Sequence, residues 1–235
     1  MRNFLKNHKI CAKGIDEMVY SDDRKLALSG WLKKHNPTSY EAPLKLQKFL
    51  FLYEAASKAD HDEADLSGLK GYQRGPVFSR VWGDYTKDRA EFDAKAEEKL
   101  SKLRDIINVE RAEKISFITS VLSEEELSDI THFLNIWKCK ESRIKNREPQ
   151  VALSENDLNE NDKNILRQLE DLYSLDLIRS SKIICINDMF FVFDKNNIKN
   201  LTEEHMDTLC LISKNEDLHN PVFIEIDKDG GLTID

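Results

Sequence analysis

Six histidines, at positions 9, 35, 61, 132, 205 and 219, and four cysteines, at 11, 139, 185 and 210, are the side chains with which this chain could ligate a metal or act as a nucleophile. A zinc site needs three or four convergent ligands, commonly paired closely in sequence. No His-Glu-x-x-His and no Cys-x-x-Cys spacing occurs. The densest cluster, Asp60-His61-Asp62-Glu63, reads as a solvated loop, and Glu204-His205 as the start of a helix. The glycine-rich phosphate loop ending in Gly-Lys-Ser/Thr and the Gly-x-Ser-x-Gly nucleophile elbow are both missing. Gly68, Gly71 and Gly75 lack the regular spacing and the preceding strand of a dinucleotide loop, and are assigned to turns. With 43 acidic residues, neighbouring carboxylates are unavoidable, and acid–base work requires a pair in a shared dry cleft. Asp227-Lys228-Asp229-Gly230-Gly231 lacks the ligand ladder of a calcium loop and reads as a β-turn. The residues thus assign no catalytic group, no metal and no cofactor, and the expectation is a protein that is not an enzyme.

A chain of 235 residues is long enough for one large domain, or for one domain with an appendage. Hydrophobic residues at 40% and charged residues at 33% can bury a core, which excludes global disorder. The formal net charge is −8, whereas a surface that tracks phosphates normally makes a domain basic. Nucleic acid is therefore not the expected partner, and an acidic surface suits a basic protein. The segment 165–193 has the helix-then-hairpin shape of half a winged helix, so a DNA-binding regulator stands as an alternative. Only Arg167, Arg179, Lys182 and Lys195 supply positive charge around it. The cysteines are too few and too scattered for a disulfide framework, and read as buried thiols in a reducing compartment. The N-terminal residues carry basic groups but no continuous apolar stretch, and no run reaches 18 apolar residues. These features predict neither a signal peptide nor a membrane span, and place the protein in the cytoplasm.

The elements follow from periodicity and punctuation. Residues 1–20 form a short helix or an arm. Asp22 or Asp23 caps a helix over 24–34, which Asn36-Pro37 stops. Pro43–Ala59 is the clearest helix. Leu46, Phe49, Leu50, Tyr53 and Ala56 recur at helical spacing, and Phe51 and Leu52 widen the stripe until the helix must be buried. Residues 60–75 read as a loop with a brief extended element at Leu69 and Tyr72. Pro76 then opens a helix carrying Val77, Val81, Trp82 and Tyr85. A long charged helix is expected over 91–121. Ser123 and Glu126 make a capping box for the next, with Leu127, Ile130, Phe133 and Leu134 on its apolar side. A polar connection covers 141–163. Asn187-Asp188 joins β-rich runs at 183–186 and 189–193 into a hairpin, a helix follows over 202–211, and a second hairpin closes the chain. The fold class is therefore mainly α with a small α+β C-terminal part, divided into 1–150 and 151–235.

Trp82 and Trp137 read first as core residues, although a large rigid aromatic can also anchor a binding groove. Thr131-His132 lies in a helix, where a packed histidine bonded to backbone or carboxylate is the simplest reading and a groove lining the other.

The run Leu46-Gln47-Lys48-Phe49-Leu50-Phe51 resembles the opening helix of the Panacea, or SocA-like, domain family. Tyr72-Gln73-Arg74-Gly75-Pro76-Val77 is similar to the family's aromatic-x-x-Gly-Pro-Val element, with Trp82 beyond it. Leu127 to Thr131-His132, followed by Trp137, resembles its Leu-x-x-x-Thr-His motif and tryptophan. Asn135-Ile136 stands where the family usually has a proline before that tryptophan. The resemblance covers about 20–140 and implies an all-helical, non-catalytic domain of bacteria and phages. It implies an antitoxin that neutralises a cognate protein toxin by direct contact, with delivery of the toxin to a protease in one branch. A phage or mobile-element protein acting on a host or defence factor is the related alternative. Under this resemblance Leu46, Gln47, Lys48, Tyr72, Gly75, Pro76, Val77, Trp82, Thr131, His132 and Trp137 are mostly fold determinants. Gln47 and Lys48, if buried, need fixed partners, and the Gly75-Pro76 turn or Thr131-His132 would supply them.

Overall fold

Asp22 resolves the first cap: its carboxylate accepts from the Lys25 amide at 2.8 Å and starts α1 (Asp23–His35). The computed structural model describes residues 19–227 and 229–234, so the arm or helix expected over 1–20 lies, apart from Val19 and Tyr20, outside the described residues. Asn36 ends α1 and caps α2 (Pro37–Glu41) through its own side chain. Helix α3 (Pro43–Ala59) buries every residue except Pro43 and Lys58, as its broad apolar stripe requires. Strands β1 (Leu69–Tyr72) and β2 (Gly75–Phe78) form a tight antiparallel hairpin beside it.

The helix expected to open at Pro76 starts later, as α4 (Ser79–Lys87). The fixed φ of proline suits an edge strand as well as a first helical turn, and β2 is the edge of its sheet. The long helix expected over 91–121 is two: α5 (Arg89–Lys102) and α6 (Val109–Val121), with a 3₁₀ turn, Arg104–Ile106, between them. Asn108 caps the second by accepting from the Arg111 amide. Gly30 allows α1 to lie directly on α5, because a Cβ there would fall on the Ala96 carbonyl. The Ser123–Glu126 capping box forms with both of its bonds and opens α7 (Glu124–Phe133). Leu127 and Leu134 of that segment are buried, but Phe133 is 70% exposed.

Short helices α8 (Asn135–Lys138) and α9 (Glu141–Lys145) lead to β3 (Val151–Ala152), which pairs with β1 to complete a sheet of order β2-β1-β3. The helical region is therefore not all-helical, as the resemblance implies. Helix α10 (Glu160–Asp171) packs on α3, and the core around α3 runs past the expected division at 150 to take in Val151, Leu153, Leu158, Leu166 and Leu169.

The remainder is mixed α/β. Helix α11 (Leu175–Ser180) enters β4 (Ser181–Ile186), which turns into β5 (Met189–Asp194) through Asn187 and Asp188, at φ of 50° and 61°. Two successive left-handed residues are what a two-residue hairpin turn demands. Helix α12 (Glu203–Ile212) precedes β6 (Val222–Ile226), parallel to β5, and β7 (Leu232–Ile234) closes the sheet antiparallel to β6. Phe191 and Phe193 face α12, while Phe190 and Val192 pack on Phe117 and Val121 of α6. Burial on both faces explains why β5 reads as a continuous apolar run rather than an alternating one. No helix among the described residues is long and apolar enough to cross a membrane.

Two ionic clusters, each centred on a buried cation, tie these elements to α3. Arg111 of α6 bonds Asp60, Asp62 (2.8 Å), Glu170 (3.0 Å) and Ser57 (3.1 Å), so the acidic loop, exposed as expected, is also held by a guanidinium. Lys25 is fully buried with its Nζ 3.0 Å from Glu54, which also accepts from Arg24 at 2.8 Å and from the Asp65 amide at 3.0 Å. Glu54→Gln keeps the volume but strips the central charge from Lys25. We expect a loss of about 3–5 kcal/mol in unfolding free energy, measured by urea denaturation. A loss below about 1 kcal/mol would mean that Asp65 alone suffices for Lys25.

Candidate functional site

The adjacent polar residues Gln47 and Lys48 sit in the middle of the apolar helix α3, and neither reaches water. Each is satisfied by backbone that the hairpin brings to it. Gln47 Oε1 accepts from the Phe78 amide at 2.8 Å, at the end of β2. Lys48 Nζ donates to the Arg74 carbonyl at 2.5 Å and to Thr131 Oγ1 of α7 at 2.7 Å. Thr131 passes its own proton to the Ser128 carbonyl at 2.9 Å. Two acceptors match the two N–H bonds of a neutral amine, and no carboxylate pairs with Lys48 among the described residues. Burial, reinforced by the like charge of Arg74, lowers its pKa to about 7.

Gly75 completes this arrangement. Its φ is +106°, and a Cβ would coincide with Lys48 Nζ and crowd Thr131 Oγ1. On the other side of Thr131, the ring of His132 stacks on Trp137 with centroids 4.0 Å apart. Trp137 is buried and donates its indole N–H to the Tyr72 carbonyl at 3.0 Å. Burial and the nearby Lys48 push the His132 imidazole below its ordinary pKa, and its Nε2 has no hydrogen-bond partner. Gln47, Lys48, Gly75, Thr131, His132 and Trp137 are thus brought together, while Leu46, Pro76 and Val77 are buried on the same two elements, α3 and β2.

Two of the expected site residues stand apart. Trp82 is 41% exposed and Tyr72 is 40% exposed, so Trp82 is not the core residue its type suggests. In α4 only Val81 and Tyr85 turn inward. Trp82 and Tyr72 instead line an open groove of about 610 Å³, with Val77 and Leu44 as further apolar walls and Arg74 and Arg147 among its polar lining. Arg74 also borders an acidic shelf holding Glu124, Glu125, Asp129 and Asp188. It pairs with Glu124 at 3.0 Å. The groove residue Arg74 has no sequence signal of its own, because what places it is the turn that Lys48 fixes, and Leu44 reaches the groove from the first turn of α3. Among the described residues no group of three or more His, Cys, Asp or Glu is placed to hold a metal.

No family model, curated protein or solved structure matches this chain.

Lys48 titrates about 7 in the folded protein and at the ordinary 10.5 when unfolded. Below about 7 both states are protonated and the burial penalty on the charge is present in full. Between the two values only the unfolded state holds the proton, so stability rises with pH. The stability of the wild type relative to Lys48→Met should therefore increase across that window, as measured by denaturant unfolding at its two ends. A difference that is flat with pH would show that the buried amine is not the titrating group. Gly75→Ala should cost about 2 kcal/mol or more on the same measurement, from strain at positive φ and the clash with Lys48.

Proposed function

We propose that the protein is an antitoxin-type interaction protein that neutralises a basic partner protein by direct binding. The observation that carries this reading is the apolar groove with exposed Trp82 and Tyr72, continuous through Arg74 with the shelf of Glu124, Glu125, Asp129 and Asp188. Large rigid aromatics are the side chains that dominate binding hot spots. A carboxylate shelf beside them steers and orients cationic groups, consistent with a chain of net charge −8. The partner presents an apolar side chain to the groove and lysine or arginine to the carboxylates of the α7 shelf. The resemblance to the Panacea family supports the same reading, and the groove residues Tyr72, Val77 and Trp82 all belong to its matched motif.

The test is coexpression with the product of the adjacent open reading frame. The two products should copurify, and the chain should restore growth arrested by that product. Failure of both would overturn the proposal. Trp82→Asp should weaken the complex by about 2 kcal/mol, roughly thirtyfold in Kd. Leu211→Asp, at a still more exposed apolar position on α12, should leave it unchanged.

A further inference from the structure

Lys45 stands three residues before Lys48 on α3 and has a different environment. It is only 9% exposed, and its Nζ lies 4.3 Å from the centre of the Phe190 ring on β5. Among the described residues it has no hydrogen-bond acceptor and no carboxylate partner. A buried ammonium without an ion pair is costly, and burial pushes this one below the ordinary lysine pKa although the fields of Cys185, Glu124, Asp188 and Glu126 oppose the shift.

Lys45 and Phe190 line a cleft of about 630 Å³ between the helical core and the α11–β4–β5 segment. Four cations, Lys45, Arg179, Lys182 and Lys195, line it against one carboxylate, Glu113. Arg179 already neutralises that carboxylate at 2.8 Å, while Lys182 is exposed and has no ion-pair partner among the described residues. The cleft is thus a positive pocket in an acidic protein. Its polar wall is organised by Asn36, whose Nδ2 lies within hydrogen-bond distance of Ser120 Oγ at 2.6 Å, Ser116 Oγ at 2.9 Å and Ser39 Oγ at 3.0 Å. The two N–H bonds of Asn36 are shared among these oxygens, and among the described residues the hydroxyls of Ser39 and Ser116 donate to no protein acceptor, so their protons are available to a group in the cleft.

We propose that this cleft binds a phosphorylated small molecule of nucleotide size, with Lys45, Lys182 and the hydroxyls of Ser39 and Ser116 donating to its phosphate oxygens. Phosphate is favoured because the donors come from several elements and outnumber what the two oxygens of one carboxylate accept. The volume lies within the range of small-molecule sites. The cleft shares no lining residue with the Trp82 groove, so this inference and the antitoxin-type reading stand or fall separately.

Inorganic pyrophosphate and ATP are titrated into the full chain at low ionic strength by calorimetry, with thermal unfolding in parallel. Both should bind and raise Tm. Lys182→Gln, at an exposed position, should weaken both about tenfold without changing Tm of the free protein. Lys45→Met should abolish the ligand-dependent rise in Tm without lowering Tm of the free protein, because it removes a buried charge that has no ion pair. No binding of either probe by the wild type overturns the proposal, and binding of pyrophosphate without ATP overturns the nucleotide size. Unchanged affinity in both variants overturns the site, as does an equal loss in Lys102→Gln, which marks general attraction to surface lysines.

Discussion

The amine of Lys48 joins three segments that are distant in sequence: the middle of α3, the β1–β2 turn at Arg74 and α7 at Thr131. A polar atom with no access to water must be satisfied by protein groups, and here those groups can only be reached if the hairpin and α7 approach α3 together. The requirement propagates outward. Gly75 must lack a side chain so that the carbonyl before it can meet the amine, and Gln47 must hold the Phe78 amide, which keeps 75–78 extended. Trp137 then closes the far side through the Tyr72 carbonyl. The surface consequence is the groove: its Tyr72–Arg74 rim is the outer side of the turn whose inner side Lys48 holds. Fold determinants and the candidate binding surface are two faces of the same four-residue turn.

How much of this could be read from residues alone depends on whether the governing forces are local. The Asp22 cap, the Ser123–Glu126 box, the Asn187-Asp188 turn and the burial of α3 are decided within a few residues, and each is legible in the sequence. The partnership of Lys48 with the Gly75 turn and Thr131 was also accessible, because two polar residues inside an apolar helix advertise a need for partners. What stayed hidden was decided at long range. Pro76 permits strand or helix, and the choice belongs to Gln47 across 31 residues. Trp82 is outward because α4 needs only two residues for its inner face. Strand β3 is too short to carry a period, and it exists because β1 offers an unpaired edge.

The net charge is similarly a sum that conceals its parts. Acidic groups are concentrated where α7 begins, favourable in themselves because carboxylates stabilise a helix N-terminus. That placement also makes the shelf beside the groove. Cationic groups collect instead in the cleft between α3 and the β4–β5 hairpin. A chain that looks uniformly acidic by composition therefore gathers its charges of opposite sign in separate clusters, and Lys45 stands where the cleft comes within reach of Glu124, Glu126 and Asp188 of the shelf.

Lys45 and Lys48 make the contrast within one helix turn. Both are buried, and desolvation lowers the pKa of both. Lys48 has two well-placed acceptors and needs nothing further, which is the pattern of a residue retained for the fold. Lys45 has an aromatic ring and an opening, with donors rather than acceptors around the opening. Removing Lys48 leaves the Arg74 carbonyl without its donor, whereas removing Lys45 leaves no protein atom unsatisfied. A side chain whose loss leaves every internal hydrogen bond intact, yet whose burial without an ion pair is unfavourable, is explained by something outside the protein that it contacts. Nothing comparable applies to Lys48, and that difference separates the structural lysine of α3 from the ligand-directed one.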